Sequence, residues 1–387
     1  MEKIRKLIYL LQLEEYNTER FLNWLSKNPI ENLKEKKSHL KVTPRVLLTF
    51  LLTFFLLPFT KDKKAVTVAN LINKRVFHLI EEIICFLAKV KISLYPNLKR
   101  VVITGSYGKT TFKELLSFVL QEKFNVIKTP GNINTRIGIA NLILKKLNKK
   151  HEIFIIEAGA YKKGEIRKIC ELVRPDFGVI TIFGIMHLER FGSVRAIKEA
   201  KSELIPFIKD RNQLFVPHKL HKFIDFEESI VKIGIILGLK ESEIISRMKK
   251  FKNPSHRLEE KAINSKITIL DDTYNSNPLG FERALEKLKD FKNRQKIVVT
   301  PGIIELGKKQ YGVNYEMGKK AAMVADTLII VGKTNRQAIF KGAQKGKKKK
   351  TKIITIGKDE NVEEIIPKII RPPAVILLEN ELPDHYF

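Results

Sequence analysis

The octet Thr104-Gly105-Ser106-Tyr107-Gly108-Lys109-Thr110-Thr111 sets two glycines, a lysine and several hydroxyls in a row. Glycines let backbone N–H groups close around a phosphate, and a helix starting at the end of the loop adds partial positive charge. Lys109 is then expected at the β- and γ-phosphates of ATP, and the Thr110 hydroxyl at Mg²⁺. Gly105, Ser106, Tyr107, Gly108 and Thr111 complete the expected ATP cradle. The generic motif carries a glycine where this chain has Ile103, so the match is to the shorter G-x-x-G-K-T form. A carboxylate, Glu157, follows the apolar run 153–156. At the C-terminal end of a strand beside such a loop it suits Mg²⁺.

These residues need a frame to hold them. Residues 100–104 read as a buried strand and 110–120 as the helix after the loop. Apolar strand candidates recur at 125–128, 153–156 and 178–182, with helical stretches between them. Such alternation implies a parallel sheet with helices on both faces. Four further strand candidates, 267–270, 296–300, 327–331 and 352–356, alternate with helices in the same way. The expected fold class is therefore α/β: a parallel-sheet P-loop ATPase domain over 97–255, then a Rossmann-like domain over 256–387. A helical, partly apolar region over 1–96 precedes them. The length of 387 residues agrees with several domains, since one hydrophobic core rarely grows that large. After Leu378 the chain turns too polar for a core strand, and 377–384 reads as a terminal loop.

Further pieces follow the octet in a fixed order: Gly131-Asn132-Ile133-Asn134, Glu157-Ala158-Gly159-Ala160, Gly164-Glu165-Ile166, His187-Leu188-Glu189-Arg190-Phe191-Gly192-Ser193, Glu199-Ala200-Lys201, His256-Arg257-Leu258-Glu259 and Asp271-Asp272-Thr273-Tyr274-Asn275-Ser276-Asn277-Pro278. Together they resemble the Mur ligase family, and within it the branch that adds a D-Ala-D-Ala dipeptide. The resemblance covers residues 98–300 well and the remainder loosely. It implies an ADP-forming ligase of peptidoglycan precursor synthesis, acting on a UDP-MurNAc-tripeptide-like acceptor and D-Ala-D-Ala through an acyl phosphate. His187 becomes a ligand of a second metal, and Lys201 a ligand once carbamylated. Arg257 falls at phosphate and Asp272 at ribose, with Asn275 and Asn277 toward adenine; Asn132 and Asn134 fall to the acceptor. Lys109, Glu157, His187 and Lys201 form the implied catalytic set, and Thr110, Glu157, His187 and Lys201 the implied metal set.

The same resemblance breaks in two places. Residues 1–96 do not look like the family's UDP-binding domain. The stretch between Lys201 and Arg257 is short, and His221-Lys222-Phe223-Ile224-Asp225 lacks two asparagines that help hold the nucleotide in the family. Two alternatives stay open beside the first reading. One is another amide ligase of the superfamily, of the folylpolyglutamate or cyanophycin type. The other is a degenerate nucleotide-binding scaffold tethered to a membrane.

Charge bounds the partners. The chain carries 72 Lys and Arg against 42 Asp and Glu, a formal net charge of +30. The excess is spread out; apart from Lys347 to Lys350 there is no dense basic block and no nucleic-acid-binding signature, so no nucleic acid is expected. Cys85 and Cys170 stand far apart without CxxC spacing, which argues for two buried thiols in a reducing cytoplasm rather than a disulfide or zinc site. No secretory signal opens the chain; residues 1–19 read as a charged amphipathic helix. Residues 46–59 are uncharged and bracketed by Arg45 and Lys61. Fourteen residues fall short of the ~20 that cross a bilayer. A buried helix, an interfacial anchor and a short hairpin all fit this run, and a location in the cytoplasm with peripheral attachment to the membrane surface is expected from the second.

Overall fold

The computed structural model describes residues 2–33, 39–131, 133–218, 222–252, 254–274, 276–347, 351–357, 360 and 362–381. Strand β1 (Lys99–Thr104) is followed by α5 (Lys109–Leu120), β2 (Val126–Lys128), α6 (Arg136–Lys146), β3 (Ile153–Glu157), α7 (Glu165–Val173) and β4 (Phe177–Ile180). Then come α8 (Leu188–Phe191), α9 (Val194–Ser202), β5 (Leu214–Phe215), α10 (Phe226–Ile236) and α11 (Glu241–Met248). The five strands pair in parallel in the order β2-β3-β1-β4-β5. Strands buried on both faces must be apolar throughout, and β3 is buried at every position. One face packs on Ile139, Ile143, Ile169 and Cys170, the other on Phe112, Leu116, Ile230 and Ile233.

Local chemistry ends and starts the helices. Thr135, Ser193 and Asp225 each accept a backbone N–H from the first turn of α6, α9 and α10, which satisfies donors that a helix start leaves unpaired. Gly108 begins α5 at a φ of 77°, a left-handed conformation costly for residues with a Cβ.

The second unit holds β6 (Glu259–Asn264), β7 (Ile267–Asp272), α12 (Pro278–Asp290), β8 (Gln295–Thr300), α13 (Gln310–Val324), β9 (Thr327–Val331), α14 (Arg336–Gly346), β10 (Lys352–Ile356), α15 (Val362–Ile369) and β11 (Ala374–Glu379). Its sheet runs β10-β9-β8-β11-β7-β6, parallel except where β6 meets β7. The terminal-loop expectation fails at Glu379. β11 is a central strand that keeps its register with β7 through Glu379↔Asp272, and the Glu379 side chain is buried against the Ser276 hydroxyl. A hydrogen-bonded carboxyl thus sits where polarity alone predicted solvent.

Four helices come first: α1 (Glu2–Leu13), α2 (Thr18–Lys27), α3 (Pro44–Leu56) and α4 (Asp62–Ser93). The single helix expected over 1–19 is interrupted. Glu15 and Tyr16 take φ values of 53° and 60°, and Asn17 caps α2 by accepting from Arg20 N. α4 joins two cores. Its Cys85, Ala88 and Ile92 pack with α6 and α7, while Val66 packs with α1. Asn73 donates to Thr49 Oγ1 at 2.6 Å and Asn70 to Tyr16 O at 3.1 Å, which fixes α3 and the α1–α2 turn on α4. Among the described residues no helix is long and apolar enough to cross a membrane.

Candidate active site

The phosphate-loop octet lies at the C-terminal end of β1, flanked by the ends of β3 and β4, where open α/β sheets bind ligands. The loop is clamped from β4's side. Thr181 Oγ1 donates to Tyr107 O at 2.5 Å, Ser106 N donates to Ile182 O at 2.9 Å, and Ser106 Oγ donates to Gly184 O at 3.1 Å. Gly105 leaves no room for a side chain, since a Cβ there would stand 2.0 Å from Thr181 Oγ1. Behind Gly108 lie the rings of Phe223 and Phe226. Aromatic packing therefore occupies the segment in which two nucleotide-holding asparagines were missed in the sequence; His221 itself is outside the described residues.

Thr110 ties three elements together. Its hydroxyl donates to Glu157 Oε2 at 2.8 Å and accepts from Arg257 Nη2 at 3.0 Å. Ile103 is the register partner of Glu157, which is how β1 and β3 set the loop and the carboxylate side by side. Glu157 also receives Lys113 Nζ at 3.2 Å and Asn134 Nδ2 at 3.4 Å. Burial pushes its carboxyl up, but Lys109, Lys113 and these donors outweigh it and hold the group below its ordinary value. Lys109 Nζ rests on Gly105 O at 2.9 Å, and burial pushes its amine down against the pull of Glu157. Arg257 comes from the second unit, between His256 and Leu258 at φ 61° and 54°, with its guanidinium 4.6 Å over the Tyr274 ring.

His187 follows β4 at φ 57° and its Nδ1 meets Glu305 Oε2. Burial lowers its imidazole pKa, opposed by that carboxylate. Glu305 is a residue that sequence reasoning missed, and it organises one wall. It accepts from Arg190 Nη2 at 2.7 Å and from Arg20 Nη1 at 3.1 Å, and Arg190 reaches on to Glu15 at 2.6 Å. Burial alone would raise the Glu305 carboxyl; His187 and Arg190 hold it far below the usual carboxylate range. Glu15 lies in the α1–α2 turn and Arg20 in the first turn of α2, so the first 96 residues contribute to the cavity wall. Lone charges more than a hundred residues away in sequence carry no motif; only the left-handed conformations of Glu15 and Glu305, invisible in a sequence, mark them.

Lys201 is buried on α9. Its Nζ has Ala160 O at 3.5 Å and the Phe191 ring at 5.9 Å, and among the described residues no carboxylate pairs with it. Burial, helped by Lys109, pushes the amine down to about 7. The cavity of about 340 Å³ is lined by Gly105 to Thr110, Asn134, Glu157, His187, Lys201, Arg257 and Asn277, together with Glu15, Arg20 and Glu305. Asn277 mainly caps α12. Thr111 and Asp272 are not on its wall. Asp272 accepts Leu258 N at 2.9 Å, which holds the Arg257 turn, and burial raises its carboxyl against the opposing pull of that bond. Asn380 and Glu381, assigned no chemistry in the sequence, do line the cavity. Asn132 and Asn275 lie outside the described residues.

No group of three or more His, Cys, Asp and Glu among the described residues can hold a metal by itself. The donor set still fits Mg²⁺ of the kind that takes one carboxylate, a hydroxyl and substrate phosphate oxygens, because Thr110 Oγ1 and Glu157 adjoin at the mouth of the loop.

Comparison with known proteins points the same way. Residues 103–277 match the Mur ligase middle domain and 256–379 the Mur ligase glutamate ligase domain. Similar curated proteins include UDP-N-acetylmuramoyl-tripeptide--D-alanyl-D-alanine ligases. The one from Treponema pallidum is 25% identical over 278 residues, 59% of this chain and 60% of its own length. The one from Buchnera aphidicola is 29% identical over 58% of this chain and 62% of its own length. The chain thus spans about three fifths of these relatives. Solved structures of like fold include MurF from Acinetobacter baumannii (TM-score 0.65, 22% identity, 78% of this chain and 77% of that one) and MurF from Thermotoga maritima in complex with ADP (0.64, 23%, 78% and 80%).

Proposed function

Since the chain belongs to the Mur ligase family, we propose that it is an ATP-dependent, ADP-forming amide ligase of peptidoglycan precursor synthesis. In this reading it joins D-Ala-D-Ala to a UDP-MurNAc-tripeptide-like acceptor. A carboxylate of the acceptor attacks the γ-phosphorus of ATP and ADP leaves. The amine of the dipeptide then attacks the acyl phosphate carbon, phosphate leaves, and the amine loses a proton. The observation that carries the reading is the Thr110 hydroxyl held between Glu157 and Arg257 at the end of the phosphate loop.

Phosphoryl transfer needs positioning and charge neutralisation more than a protein nucleophile. Lys109 and Arg257 supply two cations from two different units, and among the described residues neither forms an ion pair with a carboxylate that it must abandon. Gly105 to Thr111 hold the triphosphate through backbone N–H groups, and Asn277 lies on the nucleoside side. Asp272 acts indirectly in this reading, by fixing the Arg257 turn rather than touching ribose. Asn134, bonded to Glu157, faces the acceptor. Thr110 and Glu157 would hold one Mg²⁺, and His187 and Lys201 a second; bound there, Mg²⁺ supplies positive charge for the phosphate oxygens.

Lys201 serves that role only as a carbamate, because an ammonium has three donors and no lone pair. Its neutral Nζ adds to the carbon of CO₂ and releases a proton. A buried amine lowered to about 7 is suited to that step. The reading takes 1–96, 97–255 and 256–387 as three domains and places the protein at the cytoplasmic face of a membrane.

The test is ADP release and product mass with UDP-MurNAc-tripeptide and D-Ala-D-Ala, each omitted in turn. The ligase reading expects the adduct, and ADP only when the acceptor is present. ATP hydrolysis indifferent to both substrates, or none at all, refutes it.

A further inference from the structure

Among the described residues 22 large hydrophobic side chains are exposed, and 16 of them lie between 42 and 94. On α4 and its C-terminal cap Leu94 they form a stripe, Ile72, Val76, Leu79, Ile83, Phe86, Val90 and Leu94, spaced four and three apart. That spacing keeps one face of a helix. On α3 and just after it, Leu47, Leu51, Phe54, Phe55 and Phe59 are exposed in the same way. The fold cannot use these residues, because the other sides of both helices are already filled. Cys85, Ala88 and Ile92 sit in the core around β1 and β3, Val46 and Val66 pack with α1, and Thr49 bonds Asn73.

Charge selects what covers the stripe. Residues 44–94 carry eight Lys and Arg against three Asp and Glu, and one of the three, Glu82, is paired with Arg136. Lys74, Arg75 and Lys89 are exposed beside the stripe. A second copy docked face to face would bring these cations against their own kind. An anionic surface would not. Neither helix spans: α3 has 13 residues, roughly 20 Å, where the hydrocarbon core needs ~30 Å, and the faces of α4 away from the stripe carry charges such as Lys74, Arg75, Glu81 and Lys89. A helix of 32 residues, apolar on one side and cationic at its flanks, is built to lie in the headgroup plane.

We propose that the outward face of α3 and α4 seats this protein on an anionic phospholipid bilayer, with α4 parallel to the surface. This deepens the membrane part of the function reading and stands apart from its ligase part, since lipid binding needs no substrate. Through Asn70, which donates to Tyr16 O and Thr18 Oγ1, the seated helix also carries the α1–α2 turn and the start of α2, whose Glu15 and Arg20 wall the cavity. The site is thereby fixed close to the lipid.

The experiment is vesicle co-sedimentation of the full chain with equal parts phosphatidylglycerol and phosphatidylcholine, and with phosphatidylcholine alone. Binding to the anionic vesicles, weakened by salt, is expected. Lys74→Gln, Arg75→Gln and Lys89→Gln together should weaken it roughly a hundredfold, at about fivefold per charge. Leu79→Asp with Ile83→Asp and Phe86→Asp should abolish it while ATP binding and the circular dichroism spectrum stay unchanged, since all three side chains are exposed. The inference is overturned if the folded protein ignores anionic vesicles at low salt. It is equally overturned if the aspartate variant binds as well as the parent, or if those aspartates instead dissociate a dimer that had no affinity for lipid.

Discussion

Replacing Lys201 by Met keeps length and apolar volume and removes only the amine, so it isolates what a buried, unpaired cation costs. The folded amine gives up its proton near 7, and the unfolded one near the ordinary value of about 10.4. Between these values the unfolded state binds more protons, so stability rises with pH; below about 7 both states are protonated and the full penalty remains. Worked from the shift, the penalty is about 5 kcal/mol at pH 6 and falls to about 2 kcal/mol at pH 9. Lys201→Met should therefore be the more stable protein in CO₂-free buffer, by a margin that shrinks across that window. Urea unfolding at the two pH values measures it. A margin that is zero, or flat with pH, would falsify the claim that this site holds a free-base lysine.

The same number governs reactivity. At pH 7.5 roughly three quarters of an amine titrating near 7 is neutral, against about one part in a thousand for an exposed lysine. Carbamylation consumes the neutral form, so Lys201 should be modified hundreds of times more readily than the other lysines. With ¹³C-bicarbonate, one carbamate carbon resonance is expected in the parent and none in Lys201→Met. Ligase activity should be lost in Lys201→Met despite its higher stability, which separates a chemical role from a structural one. Full activity in this variant would end the carbamate reading.

Lys109→Ala should lower ADP release by about 10²–10³-fold, the usual effect of deleting one donor to the developing charge, with an unchanged unfolding curve; undiminished turnover would remove the phosphate-loop assignment. Arg257→Ala should weaken ATP binding and leave the Thr110–Glu157 contact in place, and isothermal titration that shows the parent's affinity would place the second unit's arginine outside the site. Arg20→Ala deletes a half-buried partner of Glu14 and Glu305 and should cost about 1–3 kcal/mol. Faster hydrogen exchange in α1 and α2 is the expected signature, and unaltered protection there would show that the turn is held by packing alone.

The sequence was most legible where a local rule and the tertiary structure demand the same residue. Strands Thr327–Val331 and Lys352–Ile356 fall where their apolar runs predicted, and the phosphate loop reads from its glycines because the backbone conformation needs them. Legibility failed where function and context overrode the local rule. Glu379 extends a central strand because its carboxyl meets Ser276 and Asp272 inside. Strand β4 ends at Ile180, two residues early, because Thr181 turns its hydroxyl to the loop. Asp272 accepts Leu258 N and so holds the Arg257 turn, a contact that no local pattern announces. None of these changes alters hydrophobic periodicity, which is the signal that a sequence offers most strongly.

Positive φ shows where the chain is forced. Nine non-glycine residues adopt it among the described residues; Glu15, His187, Glu305 and Asn380 line the cavity, and His256 and Leu258 flank Arg257. Each such conformation costs of order 1–3 kcal/mol and persists only where surrounding contacts over-determine it. Here the contacts run between parts distant in sequence. Glu305 of the second unit is held by His187 and Arg190 of the first and by Arg20 of the N-terminal helices. Arg257 is held on Thr110. The strain is therefore offset only when all three parts meet. An isolated phosphate-loop unit would keep its sheet and its glycine turn, but Glu157 and Thr110 would lack Arg257 and His187 would lack Glu305. ATP could still find the loop's backbone N–H groups in that fragment; the groups that hold the transferring phosphate and orient the acceptor would be missing. Assembly of the three parts, more than any single motif, is what makes this cavity a candidate for ligation rather than for nucleotide binding alone.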